Sequence, residues 1–301
     1  MRNPGSRLPG QEERDPGALW QRANEAALRA RLERVIAAPD DTLFTASWND
    51  SYVVVTKEEG YVRLWIMEQD ADDTEWVQSA LWLDNPLHLV LTYTQAMMLA
   101  LVWQPEPARV FMSGLGGGGL ALVLHHHLWR TQIDCVEIAP PVVEAAQRFF
   151  GFATDERMAL CVDDAARFLA RQPRRSYEIL FLDLFTDAGE TPAHLSGPDF
   201  FHMCRERLRP GGLLTMNLGA DSPGYPARLA AIESVFPTVY TCRGYGSTQV
   251  IFATDRPPIA RAACIQQAAA LQRAYGFSFP LPAWSARLRR RQPPPTLEEN
   301  G

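Results

Sequence analysis

Val110-Phe111-Met112-Ser113 runs directly into Gly114-Leu115-Gly116-Gly117-Gly118-Gly119-Leu120, and this stretch decides the fold. The apolar tetrad predicts a buried strand, and the apolar residues after the glycines predict a helix. Glycines at such a turn let the backbone take positive φ angles and approach a ligand closely. Glu137 ends the next predicted strand, 23 residues after Gly114, where a carboxylate accepts hydrogen bonds from a ribose diol. The stretch therefore predicts a site for a nucleoside-bearing cofactor.

Strand-like and helical runs alternate downstream of residue 109, which is the pattern of a parallel sheet covered on both faces. The predicted strands cover 110–113, 132–138, 159–162, 178–183, 213–218, 238–242 and 248–253. Upstream, β-rich runs at 52–56 and 61–66 flank a turn and predict a small antiparallel sheet. We predict four parts: a tail and helix (1–40), a small β-domain with a linking helix over 89–103 (41–104), a Rossmann-like domain (105–255), and a C-terminal helix with an Arg/Pro-rich tail (256–301).

Acidic residues follow two further predicted strands. Asp163-Asp164 ends the third strand of the large sheet, where a carboxylate can meet an adenine amino group, and Asp183 ends the fourth strand. Ligands of open parallel sheets bind at these carboxyl ends. Three acidic strand ends with a glycine loop favour the class I S-adenosylmethionine-binding fold over a dehydrogenase. The predicted fold class is therefore α/β: a Rossmann-like, S-adenosylmethionine-binding parallel sheet with a small N-terminal antiparallel β-domain.

Composition excludes several classes of protein. The chain has 301 residues, 47% of them apolar, and a formal net charge of −6, which excludes general disorder. Its single lysine, Lys57, precedes Glu-Glu-Gly in a predicted turn, so neither a phosphate-binding G-x-x-x-x-G-K-[ST] loop nor a Schiff-base lysine is expected. Five scattered cysteines and a start without an apolar signal segment predict a cytoplasmic protein.

Other segments argue against metal, membrane and nucleic acid. Residues 86–105 lack charge but are interrupted by polar side chains, so we expect a buried helix and no membrane contact. The three histidines at 125–127 point about 100° apart on a helix and do not converge on one metal ion. The arginine-rich run 287–291 lacks the aromatic and glycine pattern of an RNA-binding arm, and we expect a solvated tail and no nucleic acid.

From residue 76 to residue 252 the sequence resembles the spermidine/spermine synthase family, the polyamine aminopropyltransferases, as a divergent member. The resemblance is carried by the glycine loop, by Val136-Glu137-Ile138 and by Asp164 ahead of Phe168-Leu169. It continues in Tyr177-Glu178-Ile179-Leu180-Phe181-Leu182-Asp183, Phe200-Phe201 and Leu208-Arg209-Pro210-Gly211-Gly212. The family transfers an aminopropyl group from decarboxylated S-adenosylmethionine to a polyamine.

This resemblance implies roles for individual residues. It implies that Gly114, Gly116 and Gly118 surround the donor's sulfur-bearing chain, that Glu137 binds its ribose and Asp164 its adenine, and that Asp183 takes a proton from the attacking ammonium group. Tyr93 and Gln78 resemble the family's gate tyrosine and glutamine, with Gln78 on the donor side and Tyr93 on the acceptor side. No metal is implied.

Departures from the family's pattern leave the acceptor open. The acid of the family's glycine loop is Gly117 here, the second acid of its D-[ST]-[ST]-D loop falls on Thr186, and the acid after the gate tyrosine is missing in Tyr93-Thr94-Gln95. Asp187, one position late, or the nearby Glu190 is a candidate replacement in binding substrate. A diammonium substrate such as putrescine needs carboxylates to replace its hydration, and these departures leave the pocket with fewer acids than the family pattern provides.

Three functions therefore remain open: aminopropyl transfer to a polyamine or another amine, methyl transfer from intact S-adenosylmethionine on the same fold, and a catalytically silent nucleoside-binding protein. The resemblance to the family and the apolar N-terminal strands also make a homodimer an expectation.

Overall fold

A computed structural model describes residues 15–68, 76–184, 191–244 and 246–292. Helix α1 (Pro16–Ala37) begins with proline in its first turn, and the Asp15 carboxylate caps it by accepting the Gly17 N–H at 3.0 Å. Four strands then form an antiparallel sheet in chain order: β1 (Asp41–Trp48), β2 (Ser51–Glu58), β3 (Tyr61–Glu68) and β4 (Trp76–Trp82). The predicted N-terminal antiparallel sheet is thus confirmed.

Side chains alternate across this sheet, so one face is buried. Val53 and Val55 on β2 and Val62 and Leu64 on β3 are almost fully buried, whereas Tyr52 faces outward. A period of two residues is what a half-buried strand requires. The buried face packs over the second domain and forms the roof of the cavity described below.

The linking helix begins later than predicted. Helix α2 covers Thr92–Met97 and continues as a 3₁₀ turn over Met98–Val102, instead of one helix from 89 to 103. Leu91 has extended backbone angles, and the Leu89 carbonyl oxygen accepts the side-chain amide of Gln95 at 2.6 Å. Because Leu89 is bonded to a side chain of the helix and Leu91 has extended angles, the helix begins only at Thr92.

The second sheet has eight strands in the order β12-β10-β11-β9-β8-β5-β6-β7. Their bounds are β5 (Arg109–Ser113), β6 (Gln132–Glu137), β7 (Met158–Val162), β8 (Tyr177–Leu182), β9 (Leu208–Gly219), β10 (Thr238–Arg243), β11 (Thr248–Thr254) and β12 (Leu288–Arg290). Strands β5 to β9 pair in parallel, and β11 runs antiparallel to β9 and β10. The predicted Rossmann-like sheet is confirmed, with an antiparallel hairpin at one end.

Helices cover both faces of this sheet and bury two apolar clusters against it. Their bounds are α3 (Gly119–His127), α4 (Pro140–Phe149), α5 (Ala165–Arg171), α6 (Pro198–Arg207), α7 (Tyr225–Val235), α8 (Arg261–Tyr275) and α9 (Leu281–Ser285). Within the described ranges, no helix combines the length and apolar character that crossing a bilayer would need.

The arginine-rich run 287–291 is not a free tail, which corrects the sequence interpretation. Leu288–Arg290 forms β12 and pairs antiparallel with β10, while Arg291 Nε donates to Glu233 at 2.8 Å. Leu288 is buried, and the neighbouring arginines project to solvent. The backbone pairing with β10 and the buried side chain of Leu288 hold this segment in place, although its arginine-rich composition predicts a solvated tail.

Candidate active site

A cavity of about 290 Å³ lies between the N-terminal sheet and the carboxyl ends of the parallel strands. Its walls come from both domains, since Gln78 and Ser79 of β4 face the glycine loop and the ends of β6, β7 and β8. Ligands of open parallel sheets bind at this position. The fold therefore brings the predicted donor site and the small sheet together.

Gly114 and Gly116 lie on the cavity wall, and both have positive φ angles, which favour glycine. Gly114 has φ of +83°, and a β-carbon there would lie 1.8 Å from the Asp183 carbonyl oxygen. Gly116 has φ of +52° and lies directly beneath Gln78 and Ser79. Gly118 caps α3 against the ring of Phe152 and is not part of the described wall, and its predicted role beside the donor stays a prediction.

Glu137 is 8% exposed and is held by three backbone N–H groups. Its Oε2 accepts the Leu115 N–H at 2.8 Å, and its Oε1 accepts the N–H groups of Ile138 and Ala139 at 2.9 and 3.0 Å. Burial raises the pKa of Glu137, while these backbone bonds oppose the rise. A fixed carboxylate on the wall fits the hydroxyl donors of a ribose.

Asp164 and Asp163 have different partners. Asp163 pairs with Arg167 at 2.6 Å and with Arg171, whereas Asp164 accepts the Arg167 N–H at 2.9 Å and so caps α5. The second Asp164 oxygen lies 2.8 Å from Nε2 of His194. Burial acts to raise the pKa of Asp164, but the bonds from His194 and Arg167 outweigh it and hold that pKa below its ordinary value. No pattern in the sequence predicts that His194 contacts Asp164, because the two residues are 30 positions apart in the chain.

Asp183 follows β8 and receives one donor on each carboxylate oxygen. Tyr93 Oη donates to Oδ2 at 2.7 Å, and Asn217 Nδ2 donates to Oδ1 at 3.0 Å. Burial raises the pKa of Asp183 to about 6, the two hydrogen bonds limit the rise, and the Glu137 charge adds to it. A carboxylate with a pKa near neutrality, on the wall of a cavity, is suited to accept a proton.

Asn217 lies beside Asp183 because β8 and β9 are neighbours in register, with Leu182 opposite Met216. Asn217 is 3% exposed, is not part of the described cavity wall, and supports Asp183. Its Oδ1 has no hydrogen-bond partner among the described residues. The position of Asn217 near the end of the strand next to that of Asp183 is the signal that could have predicted this contact.

Gln78 and Tyr93, 15 positions apart in the chain, line the same cavity, and their roles toward donor and acceptor stay predictions. Asp187 lies outside the described residues, as does Glu190. In the described part of the chain, no group of three His, Cys, Asp or Glu side chains comes together as a metal site would require.

The described part of the cavity wall carries acids and no lysine or arginine. The described acids on it are Glu137, Asp163, Asp164 and Asp183, and none of its described residues is lysine or arginine. The wall carries two imidazoles, those of His88 and His194. Such a field favours cationic ligands over anionic ones.

Comparison with curated proteins finds relatives of two kinds, while no family model matches the chain. The polyamine aminopropyltransferase of Chromobacterium violaceum is 29% identical over 163 residues, which are 54% of this chain and 62% of that protein. The human eEF1A lysine and N-terminal methyltransferase is 29% identical over 209 residues, which are 62% of this chain and 30% of that protein. The chain thus spans less than two thirds of either relative.

Two solved structures share the fold. A probable spermidine synthase from Corynebacterium glutamicum superposes with a TM-score of 0.65 at 18% identity, covering 85% of this chain and 91% of that one. Human methyltransferase-like protein 13, solved in complex with SAH, gives a TM-score of 0.58 at 25% identity, covering 69% and 97%.

The chain has the Rossmann-like fold of these two structures, one a probable spermidine synthase and the other a methyltransferase-like protein. In sequence it is similar to polyamine aminopropyltransferases at about 29% identity and, at the same level, to the eEF1A lysine and N-terminal methyltransferase.

Proposed function

We propose that the protein transfers an aminopropyl group from decarboxylated S-adenosylmethionine to an amine. The observation that carries this proposal is Asp183, a carboxylate with a pKa raised to about 6, held by Tyr93 and Asn217 on the wall of a cavity that has acids but no described lysine or arginine. An amine nucleophile reaches the site as an ammonium ion and must lose a proton before it attacks.

The charge of the wall supports the decarboxylated donor. Intact S-adenosylmethionine carries a carboxylate beside its ammonium group, and the described wall offers that carboxylate no lysine or arginine. Asp163 is paired with Arg167 and Arg171, so the described acids that remain without a guanidinium partner are Glu137, Asp164 and Asp183. Removing the carboxylate leaves a donor that carries positive charges only, which this field stabilises.

Three parts of the chain would hold the donor. Glu137 is fixed by three backbone N–H groups and retains acceptor capacity for the ribose hydroxyls. Asp164, held by His194, is available to accept the adenine amino group. The backbone at Gly114 and Gly116 comes close to the cavity because neither residue has a β-carbon.

In the reaction, Asp183 accepts a proton from the substrate ammonium group and so frees the nitrogen lone pair. The nitrogen forms a bond to the aminopropyl carbon next to the sulfonium, and the electron pair of the broken C–S bond returns to sulfur. Tyr93 and Asn217 keep the carboxylate oriented throughout. Because a sulfonium is a good leaving group, alignment and charge placement supply most of the acceleration.

Methyl transfer is the second candidate, because the human eEF1A methyltransferase aligns with 62% of this chain. A base such as Asp183 would serve the same purpose there if the acceptor is an ammonium group.

Incubation with each donor separates these functions. Purified protein, a mixture of amines and either donor are analysed by mass spectrometry for products heavier by an aminopropyl or a methyl group. Aminopropylated amine from the decarboxylated donor, abolished in Asp183→Asn, is expected. Methylated product from the intact donor alone would refute the proposal in favour of the second candidate, and the absence of any product would favour a silent nucleoside-binding protein.

A further inference from the structure

Helix α2 carries Tyr93, which donates to Asp183, but the helix is too short to fix its own position. It has six residues, and its N-cap residue, Leu91, makes no side-chain capping bond. Isolated helices shorter than about 12 residues are marginal in water, so packing against the rest of the protein decides where such a helix lies. The direction of the Tyr93 hydroxyl therefore depends on the groups that hold α2 from its other side.

Gln95 lies on that other side. Successive residues of a helix are about 100° apart, so Tyr93 and Gln95 face nearly opposite directions, and Tyr93 lines the cavity. Gln95 is buried, and its Nε2 donates to the Leu89 carbonyl oxygen at 2.6 Å. Its Oε1 accepts the Nε1–H of Trp284, in α9, at 3.0 Å. One amide thus joins the start of α2 to the C-terminal part of the chain.

Helix α9 is held independently of α2. Gln272 of α8 bonds to both ends of the connection between α8 and α9, since its Nε2 donates to the Phe277 carbonyl oxygen at 2.7 Å and its Oε1 accepts the Leu281 N–H at 2.9 Å. Trp284 itself is buried, and α8 packs against the 3₁₀ turn that follows α2. The indole N–H is therefore a fixed point to which the amide of α2 is bonded.

We infer that Trp284 is a positioning residue for the proton acceptor: through Gln95 it fixes α2 so that the Tyr93 hydroxyl meets Asp183. This inference rests on the proposed function, because it concerns the group that accepts the proton there. Without the indole N–H, the Gln95 Oε1 is buried without a donor, and the helix shifts to satisfy it. The Tyr93 hydroxyl then leaves its 2.7 Å contact with Asp183, and displacements of about 1 Å cost up to about 100-fold in rate.

A shift of Tyr93 is measurable through the titration of Asp183. Burial raises the pKa of Asp183, the bonds from Tyr93 and Asn217 oppose the rise, and the Glu137 charge adds to it. Tyr93 of α2 and Glu137 of β6 are the titratable groups among these described neighbours, and Asn217 of β9 is uncharged. Loosening the Tyr93 bond alone therefore raises the pKa of Asp183.

The test uses Trp284→Phe, which removes the indole N–H and keeps an aromatic ring. Aspartate is labelled with ¹³C, and the Asp183 carboxyl, assigned through Asp183→Asn, is titrated by NMR. The pKa of Asp183 should rise, as it should in Tyr93→Phe. In the double variant it should equal that of Tyr93→Phe alone, because the bond that Trp284 supports is already lost. Gln95→Met removes the same bond from the other side, should give the same rise, and serves if Trp284→Phe does not fold.

Trp20→Phe is the matched control. Trp20 also donates its indole N–H to a backbone carbonyl oxygen, that of His125, at 3.0 Å, but it lies on α1, which packs against α3. Both substitutions should lower the urea midpoint, and Trp20→Phe should leave the pKa of Asp183 unchanged. The inference is overturned if Trp284→Phe lowers the midpoint without moving that pKa, or if its effect adds to that of Tyr93→Phe.

Activity gives a separate measurement. If the protein transfers aminopropyl groups, kcat with the decarboxylated donor should fall about tenfold in Trp284→Phe, while the donor KM stays within about twofold. An unchanged kcat in this variant overturns the inference. If no amine is aminopropylated by the wild type, the proposed function fails, and the NMR titration still decides whether Trp284 holds Tyr93 against Asp183.

Discussion

Replacing Asp183 by asparagine should abolish turnover and at the same time stabilise the protein. The substituted amide has nearly the shape of the carboxyl group and keeps one oxygen for the Tyr93 hydroxyl. Asn217 can turn its own amide, because its Oδ1 has no partner among the described residues and can accept an N–H from the new side chain. We therefore expect the variant to fold.

The stability gain follows from the pKa of Asp183, which burial raises from 3.8 to about 6. A carboxyl group with a raised pKa contributes its full stability below the unfolded value, and this contribution is lost as the pH rises through about 6. A shift of about two units corresponds to about 3 kcal/mol, and water in the cavity should reduce this to about 1–2 kcal/mol. Asp183→Asn lacks this penalty because its side chain is never charged.

Urea unfolding at about pH 4 and about pH 8 measures the difference between variant and wild type. The variant should be more stable at the higher pH by about 1–2 kcal/mol, and the two proteins should converge at the lower pH. Asp221→Asn, at an exposed turn, is the control and should change little at either pH. The kcat should fall by about 10²–10⁴ while donor affinity stays within about threefold.

Equal stability of the two proteins at the higher pH would show that Asp183 is not held in a desolvating site. Retained kcat would show that it is not the proton acceptor. Either result would refute the description of Asp183 as a buried base.

Three further substitutions test other parts of the structure. Tyr93→Phe removes a hydrogen bond that lowers the pKa of Asp183, so the acidic limb of the pH profile of kcat/KM should move to higher pH and the maximum should fall about tenfold. Gly114→Ala should destabilise the protein by more than about 2 kcal/mol in urea unfolding, because the added β-carbon would overlap the Asp183 carbonyl oxygen. Gly246→Ala is the control and should cost about 1 kcal/mol, because Gly246 also has a positive φ but an added β-carbon would have no atom within 4 Å. Lys57→Met should cost about 1–3 kcal/mol in the same measurement, because Lys57 Nζ donates to the carbonyl oxygens of Ile36 and Ala38 at the end of α1; an unchanged urea midpoint would contradict that role.

Features set by short stretches of sequence could be predicted. The glycine turn, the alternation of strands and helices, and the acids at strand ends each follow from residues that are neighbours in the chain. Because parallel strands place their carboxyl ends on one edge, this was enough to predict that Glu137, Asp164 and Asp183 share a site, and the structure places all three on one cavity wall.

Features that depend on distant partners could not be predicted. The sequence around Lys57 predicts a turn, yet Lys57 lies within β2 and donates to carbonyl oxygens at the carboxyl end of α1, about 20 positions earlier in the chain. Gln95 donates to the Leu89 carbonyl oxygen before α2 and accepts the Nε1–H of Trp284, which lies 189 positions further along the chain. His194 reaches Asp164 across a loop, and β12 forms because one leucine among arginines finds a buried position.

Side-by-side calorimetric titration with decarboxylated and intact S-adenosylmethionine tests the proposed donor site most directly. Since the described wall carries the carboxylates of Glu137, Asp164 and Asp183 without a lysine or arginine among its residues, the decarboxylated donor should bind at least about tenfold more tightly. Tighter binding of the intact donor would show that its carboxylate is accommodated, and it would contradict aminopropyl transfer as the function of this protein.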